Sequence, residues 1–309
     1  LDERAWEKAT WTAEFVDIEG AKKPKPDQKT QVKMLWDDQY FYFAARLEEK
    51  HLWATLKERD SIIFYDNDFE IFIDDDGDGH NYAEFEINAL NTVWDLFLPR
   101  PYRAGGPPLH AWDMVGLKSA VHLEGTLNDP SDIDQAWTVE VAIPWESLKL
   151  GFSRNDHPQP KSGEAWRVNF SRVQWDLEVV DGKYRKIPDR PEHNWVWSPQ
   201  GVINMHEPEH WGMVVFSDKP VGAEEAVDPQ LLKDELIRQI AFKIYREQMS
   251  FHKKNGRYAA NLGDLDLPQP KNASVSLQVS EHGFDCQIKP SEGAKFPAMG
   301  ISETGRLTK

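Results

Sequence analysis

Two runs of alternating residues, separated by an acidic segment, constrain the fold of this chain more than any other feature. Phe69, Ile71 and Ile73 alternate with largely acidic neighbours, and the same pattern returns at Phe85 and Ile87. A period of two is that of a β-strand, whose side chains point in turn to opposite faces of a sheet. The acidic segment predicts a turn. Residues 66–88 are therefore predicted to form a strand, an acidic turn and a second strand.

The side chains opposite the hydrophobic row are mostly carboxylates. Carboxylates on neighbouring strands repel one another unless a cation, a cationic side chain or a hydroxyl-rich ligand lies among them. A solvated outer face is one interpretation of this pattern, and a ligand-binding face is the other. The row consists of Asp68, Glu70, Glu84, Glu86 and Asn88.

The acidic turn itself resembles half of a calcium-binding loop. Asp74, Asp76 and Asp78, followed by Gly79, match the pattern D-x-[DN]-x-[DN]-G, in which alternating carboxylates converge on one hard cation. The position of the bidentate Glu in that loop is Phe85 here, and the flanking segments are strands, so the turn is not an EF-hand. We expect a calcium ion at the turn, with other carboxylates completing its shell. An acidic turn without metal is the alternative.

The strand pattern extends over the first 218 residues. About nine or ten strands are predicted there, with turn signals between them and no helix of consequence, which indicates an all-β fold: an antiparallel two-sheet β-sandwich. The further strands are predicted at 31–36, 40–47, 93–98, 117–123, 137–143, 166–173 and 211–216.

The pattern changes after Pro220. Asp228 as N-cap, Pro229 at the first helical position and Asn255-Gly256 at the far end delimit one long helix. Alternating runs at 274–279 and 284–288 predict a hairpin. The sequence thus predicts two units, with residues 219–309 forming a small C-terminal α+β appendage that consists of a helix and a hairpin.

The charge distribution supports this division and excludes some partners. The net charge is -16, with 23 basic and 40 acidic residues in residues 1–218 and 13 basic and 12 acidic residues in residues 219–309. Such an acidic chain is not expected to bind nucleic acid or an anionic membrane surface. The sequence has no apolar run of about 18 residues, so no membrane span is predicted. Its single cysteine, Cys286, excludes an internal disulfide.

The aromatic content points to a class of ligand. Thirteen tryptophans are well above ordinary usage, and although some must belong to the core, flat sugar rings are also held on exposed indole faces. For each single Trp, a core position is the alternative interpretation. The candidate stacking residues are Trp197, Trp195, Trp175 and Trp112, and the candidate hydrogen-bonding residues are Glu70, Asn88, Asn169, Arg172 and Asn194.

Five segments in sequence order resemble the family 9 carbohydrate-binding modules, and more narrowly the free-standing family-9-like proteins of polysaccharide-degrading bacteria. The resemblance covers residues 1–217. The segments are Asp66-Asn67-Asp68-Phe69-Glu70-Ile71-Phe72-Ile73-Asp74, Glu84-Phe85-Glu86-Ile87-Asn88, Trp137-Thr138-Val139-Glu140-Val141-Ala142-Ile143-Pro144-Trp145, Trp166-Arg167-Val168-Asn169-Phe170-Ser171-Arg172 and Trp195-Val196-Trp197-Ser198-Pro199.

The resemblance implies a jelly-roll-like sandwich that binds structural calcium and holds a terminal sugar between two aromatic planes. It implies that Glu70, Glu86 and Asn88 bond sugar hydroxyls, although the best-known members have an Arg at the position of Glu86. It places Asn194 and Trp197 at the family's Asn-x-x-Trp pair and the second aromatic plane near Phe64 or Tyr65. It also implies a secreted or periplasmic location. Because Leu1 does not open a signal peptide, we expect that any such peptide has been removed.

Three classes of function remain open from the sequence. The first, which we favour, is non-catalytic binding of a mono-, oligo- or polysaccharide as part of polysaccharide utilisation. A polysaccharide-degrading enzyme is a candidate partner. The second is a glycoside hydrolase, or a subunit associated with a glycosidase, that uses paired carboxylates; hydrolysis needs two carboxylates about 5 to 10 Å apart. The third is a scaffold that acts through residues 219–309. The candidate acids for hydrolysis are Glu70, Glu84, Glu86 and Glu140.

Overall fold

The structure, a computed structural model, describes residues 3–149, 159–223, 226–292 and 296–309. The chain divides into two compact units. The first unit comprises Leu1–Asp76, Asn81–Pro99 and Pro107–Glu224, and the second comprises Gly77–His80, Arg100–Gly106 and Glu225–Lys309. Two short segments that precede residue 218 therefore belong to the second unit. The domain boundary predicted at residue 218 would instead assign both segments to the first unit.

The first unit is built almost entirely of strands, as the sequence predicts. One short helix, α1 (Arg4–Lys8), precedes them. The strands are β1 (Val16–Asp17), β2 (Thr30–Trp36), β3 (Tyr40–Glu48), β4 (Asp68–Asp74), β5 (Tyr82–Asn88), β6 (Val93–Leu98), β7 (Lys118–Glu124), β8 (Ala136–Pro144), β9 (Ala165–Gln174), β10 (Leu177–Val180), β11 (Lys183–Lys186), β12 (His193–Val196) and β13 (Gly212–Val215).

These strands form two main antiparallel sheets. The seven-stranded sheet has the order β1-β12-β9-β4-β5-β6, and β13 pairs with the first half of β9, next to β12. The four-stranded sheet has the order β2-β3-β8-β7. Strands β10 and β11 pair with each other as a separate hairpin. The predicted all-β fold class is confirmed.

The two sheets pack face to face around one hydrophobic core. Phe43 and Val139 of the four-stranded sheet belong to the same buried cluster as Phe69, Phe85 and Phe170 of the seven-stranded sheet. We call the face of the seven-stranded sheet toward this core its inner face. Because alternate residues of a strand point to the same side, the hydrophobic row predicted from the sequence occupies the inner face.

The opposite, outer face of the seven-stranded sheet is also covered. Phe72 and Trp94 on this face pack with Ile63, Met205 and Trp211 from connecting segments. As a result, every residue of β4, β5 and β6 is buried. The carboxylates of the outer face are therefore not solvated, and the first of the two interpretations offered by the sequence, a solvated outer face, is wrong. That this face binds a ligand stays a prediction.

The second unit contains the predicted helix and a sheet. Helix α2 (Pro229–Asn255) begins at Asp228, whose side chain accepts a hydrogen bond from the Gln230 amide at 2.8 Å, and ends at Gly256 in the left-handed conformation. It packs against a four-stranded sheet in which the predicted hairpin is extended by two short strands. Among the residues that the structure describes, no helix is both long and apolar enough to cross a membrane. The strands are β14 (Ala273–Val279), β15 (Phe284–Pro290), β16 (Met299–Ser302) and β17 (Leu307–Thr308).

A fragment of residues 1–218 is expected to fold, because the core between the sheets draws all its described members from this span. It is expected to melt at a lower temperature than the whole chain, since Asp78 loses Arg306, which donates to its carboxylate at 2.6 Å, and His80 loses the Thr304 carbonyl at 3.0 Å. Circular dichroism melts of both proteins test this. Arg306→Met in the whole chain is the control and should reproduce part of the decrease. An insoluble fragment would contradict the prediction.

Candidate functional site

A group of four acidic side chains lies on the outer face of the seven-stranded sheet. Strand pairing places Glu70 opposite Glu86, and Glu84 two residues before Glu86 on the same face. Asp68 lies two residues before Glu70 on β4. The four side chains, which we call the carboxylate cluster, have exposed fractions of 0% for Asp68, 5% for Glu70, 4% for Glu84 and 2% for Glu86. One oxygen from each of Asp68, Glu70 and Glu86 lies within 4.8 Å of the other two.

Burial makes the carboxylate cluster electrostatically costly. It raises the pKa of Glu70 to about 7, and burial followed by the negative charge of Glu70 raises the pKa of each of the other three carboxyls. Asp68 accepts one hydrogen bond from the Val173 amide at 3.0 Å, and Glu86 accepts one from the Phe64 amide at 3.1 Å. Within the described part of the chain, no Lys or Arg forms an ion pair with any of the four.

A group of aromatic residues lies beside the carboxylate cluster. The backbone N–H of Phe64 donates to Glu86. The backbone carbonyl of the same residue accepts a hydrogen bond from the Trp175 indole N–H at 2.9 Å. Phe64 and Tyr65 have ring centroids 4.8 Å apart, and Tyr65 is 51% exposed. The Lys186 ammonium lies 3.4 Å from the centroid of the Trp175 ring and 5.5 Å from that of Tyr65. Trp175 is half-buried.

A polar cleft of about 420 Å³ opens at the end of the sandwich next to Trp175. Trp175 and Trp195 both line it, together with charged and amide side chains. Asp176 accepts hydrogen bonds there from Arg190 at 2.9 Å and from His193 at 3.2 Å. The bond from Arg190 lowers the pKa of Asp176, so this carboxylate stays ionised. The further lining residues are Asp17, Pro24, Lys25, Pro26, Asp27, Gln28, Glu49, Lys50, His51, Gln174, Leu177 and Ile187.

The structure places three predicted site residues on the inner face. Arg172 is opposite Trp195 in the strand pairing, with its guanidinium 5.1 Å from the indole centroid, and it donates to Glu49 at 2.9 Å. Trp197 packs on Phe170 at a centroid distance of 5.7 Å. These residues lie on the other side of the sheet from the carboxylate cluster. Their contacts with a sugar stay predictions.

The predicted amide residues differ in how far their own bonds occupy them. Asn88 accepts from the Leu90 and Thr92 amides and donates to Leu56 and Asp66. Asn169 is likewise engaged by the Phe170 and Ser198 backbone. Asn194 is half-buried on the outer face, and within the described residues its side chain forms no hydrogen bond. Of the three, Asn194 alone keeps its amide available.

Trp112, the fourth candidate tryptophan, packs on Phe97 at a centroid distance of 5.9 Å.

The acidic turn holds its aspartates close together. One oxygen from each of Asp74, Asp76 and Asp78 lies within 4.8 Å of the other two. Both oxygens of Asp78 already have donors, the His80 amide at 2.8 Å and Arg306 at 2.6 Å. A calcium ion bound by all three aspartates would share the Asp78 carboxylate with Arg306, whose positive charge opposes binding of a cation there. Calcium at the turn stays a prediction.

A second cleft, of about 510 Å³ and more apolar, lies on the outer face of the four-stranded sheet. Trp6, Leu35, Tyr42 and Val221 line it, together with Glu140. It contains none of the predicted sugar-binding residues. Glu140 thus lies in the four-stranded sheet, whereas the other candidate acids for hydrolysis lie in the seven-stranded sheet.

Comparison with known proteins supports the resemblance found in the sequence. The profile of the family described as carbohydrate family 9 binding domain-like matches residues 1–97. Over 214 residues the chain is 23% identical to the exoglucanase XynX of Acetivibrio thermocellus, a match that covers 67% of this chain and 16% of that protein. The chain thus spans about a sixth of the length of this relative.

Comparison with solved structures gives matches that cover most of this chain. A proposed carbohydrate-binding protein from Bacteroides uniformis superposes with a TM-score of 0.50 at 14% identity, covering 69% of this chain and 88% of that one. A family 9 carbohydrate-binding module from Caldicellulosiruptor kristjanssonii in complex with cellotriose gives 0.45 at 14% identity, covering 74% and 92%. At this identity the first of these matches supports the β-sandwich fold alone.

Proposed function

We propose that this chain, whose residues 1–97 match the family 9 carbohydrate-binding domains, binds a carbohydrate without transforming it, in the polar cleft beside Trp175. The observation that carries the proposal is the composition of that cleft. A sugar ring offers an apolar C–H face and a rim of hydroxyls, so its site needs an aromatic plane and directed polar groups. The cleft offers both kinds of group.

Trp175 is the stacking residue in this proposal. Trp195 has the Arg172 guanidinium 5.1 Å from its ring and the His193 ring 5.8 Å away in a stacked arrangement, and it is only 6% exposed. Trp175 is half-buried and is held at its indole N–H by the Phe64 carbonyl. The Lys186 ammonium lies 3.4 Å from the centroid of the Trp175 ring and covers one of its faces, so in this proposal the sugar stacks on the opposite face. A plane that is already held in place binds a ring with little loss of side-chain entropy.

The hydroxyl-binding groups in this proposal are Asp176, Arg190 and His193. Arg190 and His193 are exposed, and both are oriented by the carboxylate of Asp176. Guanidinium and imidazole N–H groups donate to hydroxyl oxygens, and a carboxylate accepts from hydroxyl hydrogens. Because the three side chains already bond one another, they are preorganised for a ligand.

The positions of the candidate acids favour binding over hydrolysis. Glu70, Glu84 and Glu86 are each at most 5% exposed, so a glycosidic bond would not reach them without displacing the covering segments. Glu140 lies in the other sheet. Hydrolysis needs two carboxylates that flank the scissile bond, and these four do not provide an accessible pair.

We expect the protein to release no reducing sugar from any polysaccharide that it binds, because its candidate acids are buried or far apart. A reducing-end assay with an active glycosidase as positive control measures this. Release of sugar that Glu70→Gln abolishes would contradict the prediction and would support the hydrolase alternative.

Location and partners follow from the same proposal. We propose a secreted or periplasmic location, because an intact polysaccharide is too large to cross a membrane unaided and the proposed partner class degrades polysaccharide. The similarity to part of an exoglucanase supports a polysaccharide-degrading enzyme as the partner class. We expect a pull-down with this protein to recover such an enzyme only when a polysaccharide that both proteins bind is present.

A glycan array tests the proposed function directly. We expect binding to a restricted set of glycans, confirmed by calorimetry with the best of them. Addition of the free sugar should protect Trp175 fluorescence from quenching by a soluble quencher, and Trp175→Phe should reduce this protected signal. If no glycan on a broad plant, microbial and host array binds to the folded protein, the proposal is wrong.

A further inference from the structure

We propose that Lys186 is a positioning residue for carbohydrate binding, because its ammonium fixes the plane of the Trp175 indole from the face that the sugar does not occupy. The inference rests on the proposed function, since it concerns the same aromatic plane. It gives a role to a charged side chain that is not among the described residues lining the polar cleft. Four observations support it.

The first observation is the position of the Lys186 ammonium among three aromatic rings. Its Nζ lies 3.4 Å from the ring centroid of Trp175, 5.5 Å from that of Tyr65 and 5.8 Å from that of Trp53. A cation over a ring face and within about 6 Å of the centroid is attracted by the ring quadrupole, most strongly for tryptophan. The shortest contact is the one to Trp175, so this indole is the main partner of the ammonium.

The second observation is that the rings are the direct partners of this ammonium. Within the described part of the chain, the Lys186 side chain donates no hydrogen bond and forms no ion pair. Partial burial lowers the pKa of Lys186, and the negative charges of Asp66 and Glu192 oppose this from a longer distance. An ammonium that leaves water needs compensation for its lost hydration. The aromatic faces and the two carboxylates provide it.

The third observation is how little else restrains the plane of the Trp175 indole. The indole N–H donates to the Phe64 carbonyl at 2.9 Å, which fixes one edge of the ring. A hydrogen bond at one edge leaves the ring free to turn about that point, whereas a contact on its face fixes the tilt. Since Lys186 covers one face, it supplies the restraint that the hydrogen bond lacks.

The fourth observation is that Lys186 is itself anchored. It is the last residue of β11 and lies opposite Leu177 in the pairing with β10. Two residues earlier on β11, the Tyr184 hydroxyl hydrogen-bonds to His51 Nδ1 at 3.0 Å and to the Asp129 carbonyl at 3.2 Å. The backbone that carries the ammonium is therefore held on both sides, so the lysine can restrain the indole.

The experiment observes Trp175 directly in the whole chain, labelled with fluorotryptophan and measured by fluorine NMR, with Trp175→Phe assigning its resonance. In Lys186→Met, which removes the charge, we expect this resonance to shift and broaden because the indole takes several orientations. Lys186→Arg keeps a cation over the ring and should restore one sharp resonance. Lys183→Met is the matched control, since Lys183 is an exposed lysine of the same strand. The other tryptophan resonances show that each variant is folded.

Calorimetry with the best ligand from the glycan array measures the effect on binding. Lys186→Met should weaken the affinity about 5- to 10-fold, as expected for the loss of one cation–π contact behind the stacking plane. Lys186→Arg and Lys183→Met should both bind with nearly the affinity of the parent.

The outcomes separate this inference from the proposed function. Unchanged glycan affinity in Lys186→Met overturns the inference, whatever the fluorine spectrum shows. A loss of affinity that Lys186→Arg does not restore also overturns it, since the charge over the ring would then not be the cause. A parent that binds no glycan contradicts the proposed function instead, and the fluorine resonances then decide alone whether Lys186 fixes the indole.

Discussion

Replacement of Trp175 by alanine is expected to weaken carbohydrate binding about 30-fold or more, because a central aromatic residue of a binding site contributes at least about 2 kcal/mol. The loss of stability should be smaller than for a core tryptophan, since Trp175 is half-buried and its main polar contact is one hydrogen bond to the Phe64 carbonyl. Calorimetry with the best array ligand and chemical denaturation of both proteins measure the two effects.

Trp197→Ala is the matched control for Trp175→Ala. The Trp197 indole packs on Phe170 and against the core between the sheets. Its removal should lower the free energy of unfolding by about 3 kcal/mol, which is at the lower end of the range for truncation of a buried tryptophan. The affinity of the folded variant for the sugar should stay close to that of the parent. If Trp197→Ala abolishes binding while Trp175→Ala retains it, the stacking residue is the one that the family resemblance favours.

Replacement of Arg172 by methionine is expected to lower the free energy of unfolding by about 3 to 5 kcal/mol, because it leaves Glu49 as an unpaired buried charge. Both side chains are at most 2% exposed, and Arg172 also donates to Thr30 at 3.1 Å and to Gln174 at 2.6 Å. Urea denaturation measures the change. The double variant Arg172→Met/Glu49→Met should recover much of the loss.

Arg46 provides a surface control for this pair. It forms an ion pair with Glu124 at 2.7 Å, and the two side chains are 36% and 31% exposed. Solvent screens a pair of this kind, so Arg46→Met should cost less than about 1 kcal/mol. An equal cost for the two arginines would show that burial does not determine the contribution of the Arg172 pair.

The fold could be predicted from the sequence where the local pattern decides the structure. The alternation around Ile71 and Ile87 gave strands with the expected inner face. Asp228, Pro229 and Gly256 delimited α2 because capping depends on only a few neighbouring residues. The grouping of residues 77–80 with the second unit could not be predicted, since it depends on Arg306, more than 200 positions away.

The candidate site could be predicted only in part, because burial is decided by segments far apart in sequence. Ile63, Met205 and Trp211 cover the outer face and convert an acidic row into the carboxylate cluster. Sequence reasoning missed Arg190 and His193 altogether, since neither lies in a motif and both become relevant only when the cleft brings them to Asp176. The acidic row itself was the one signal that pointed to the cluster.

The fit between Gly212 and Trp197 has a consequence for how this sequence can vary. A Cβ atom at position 212 would overlap the Trp197 ring, although the two residues lie 15 positions apart, Gly212 at the start of β13 and Trp197 directly after β12. Any larger residue at 212 therefore requires a smaller one at 197, and neither step is neutral alone. In a deep mutational scan of single and double variants, Gly212→Ala should be tolerated mainly in combination with a smaller side chain at position 197. The combined volume of the two side chains is then the quantity that is restricted.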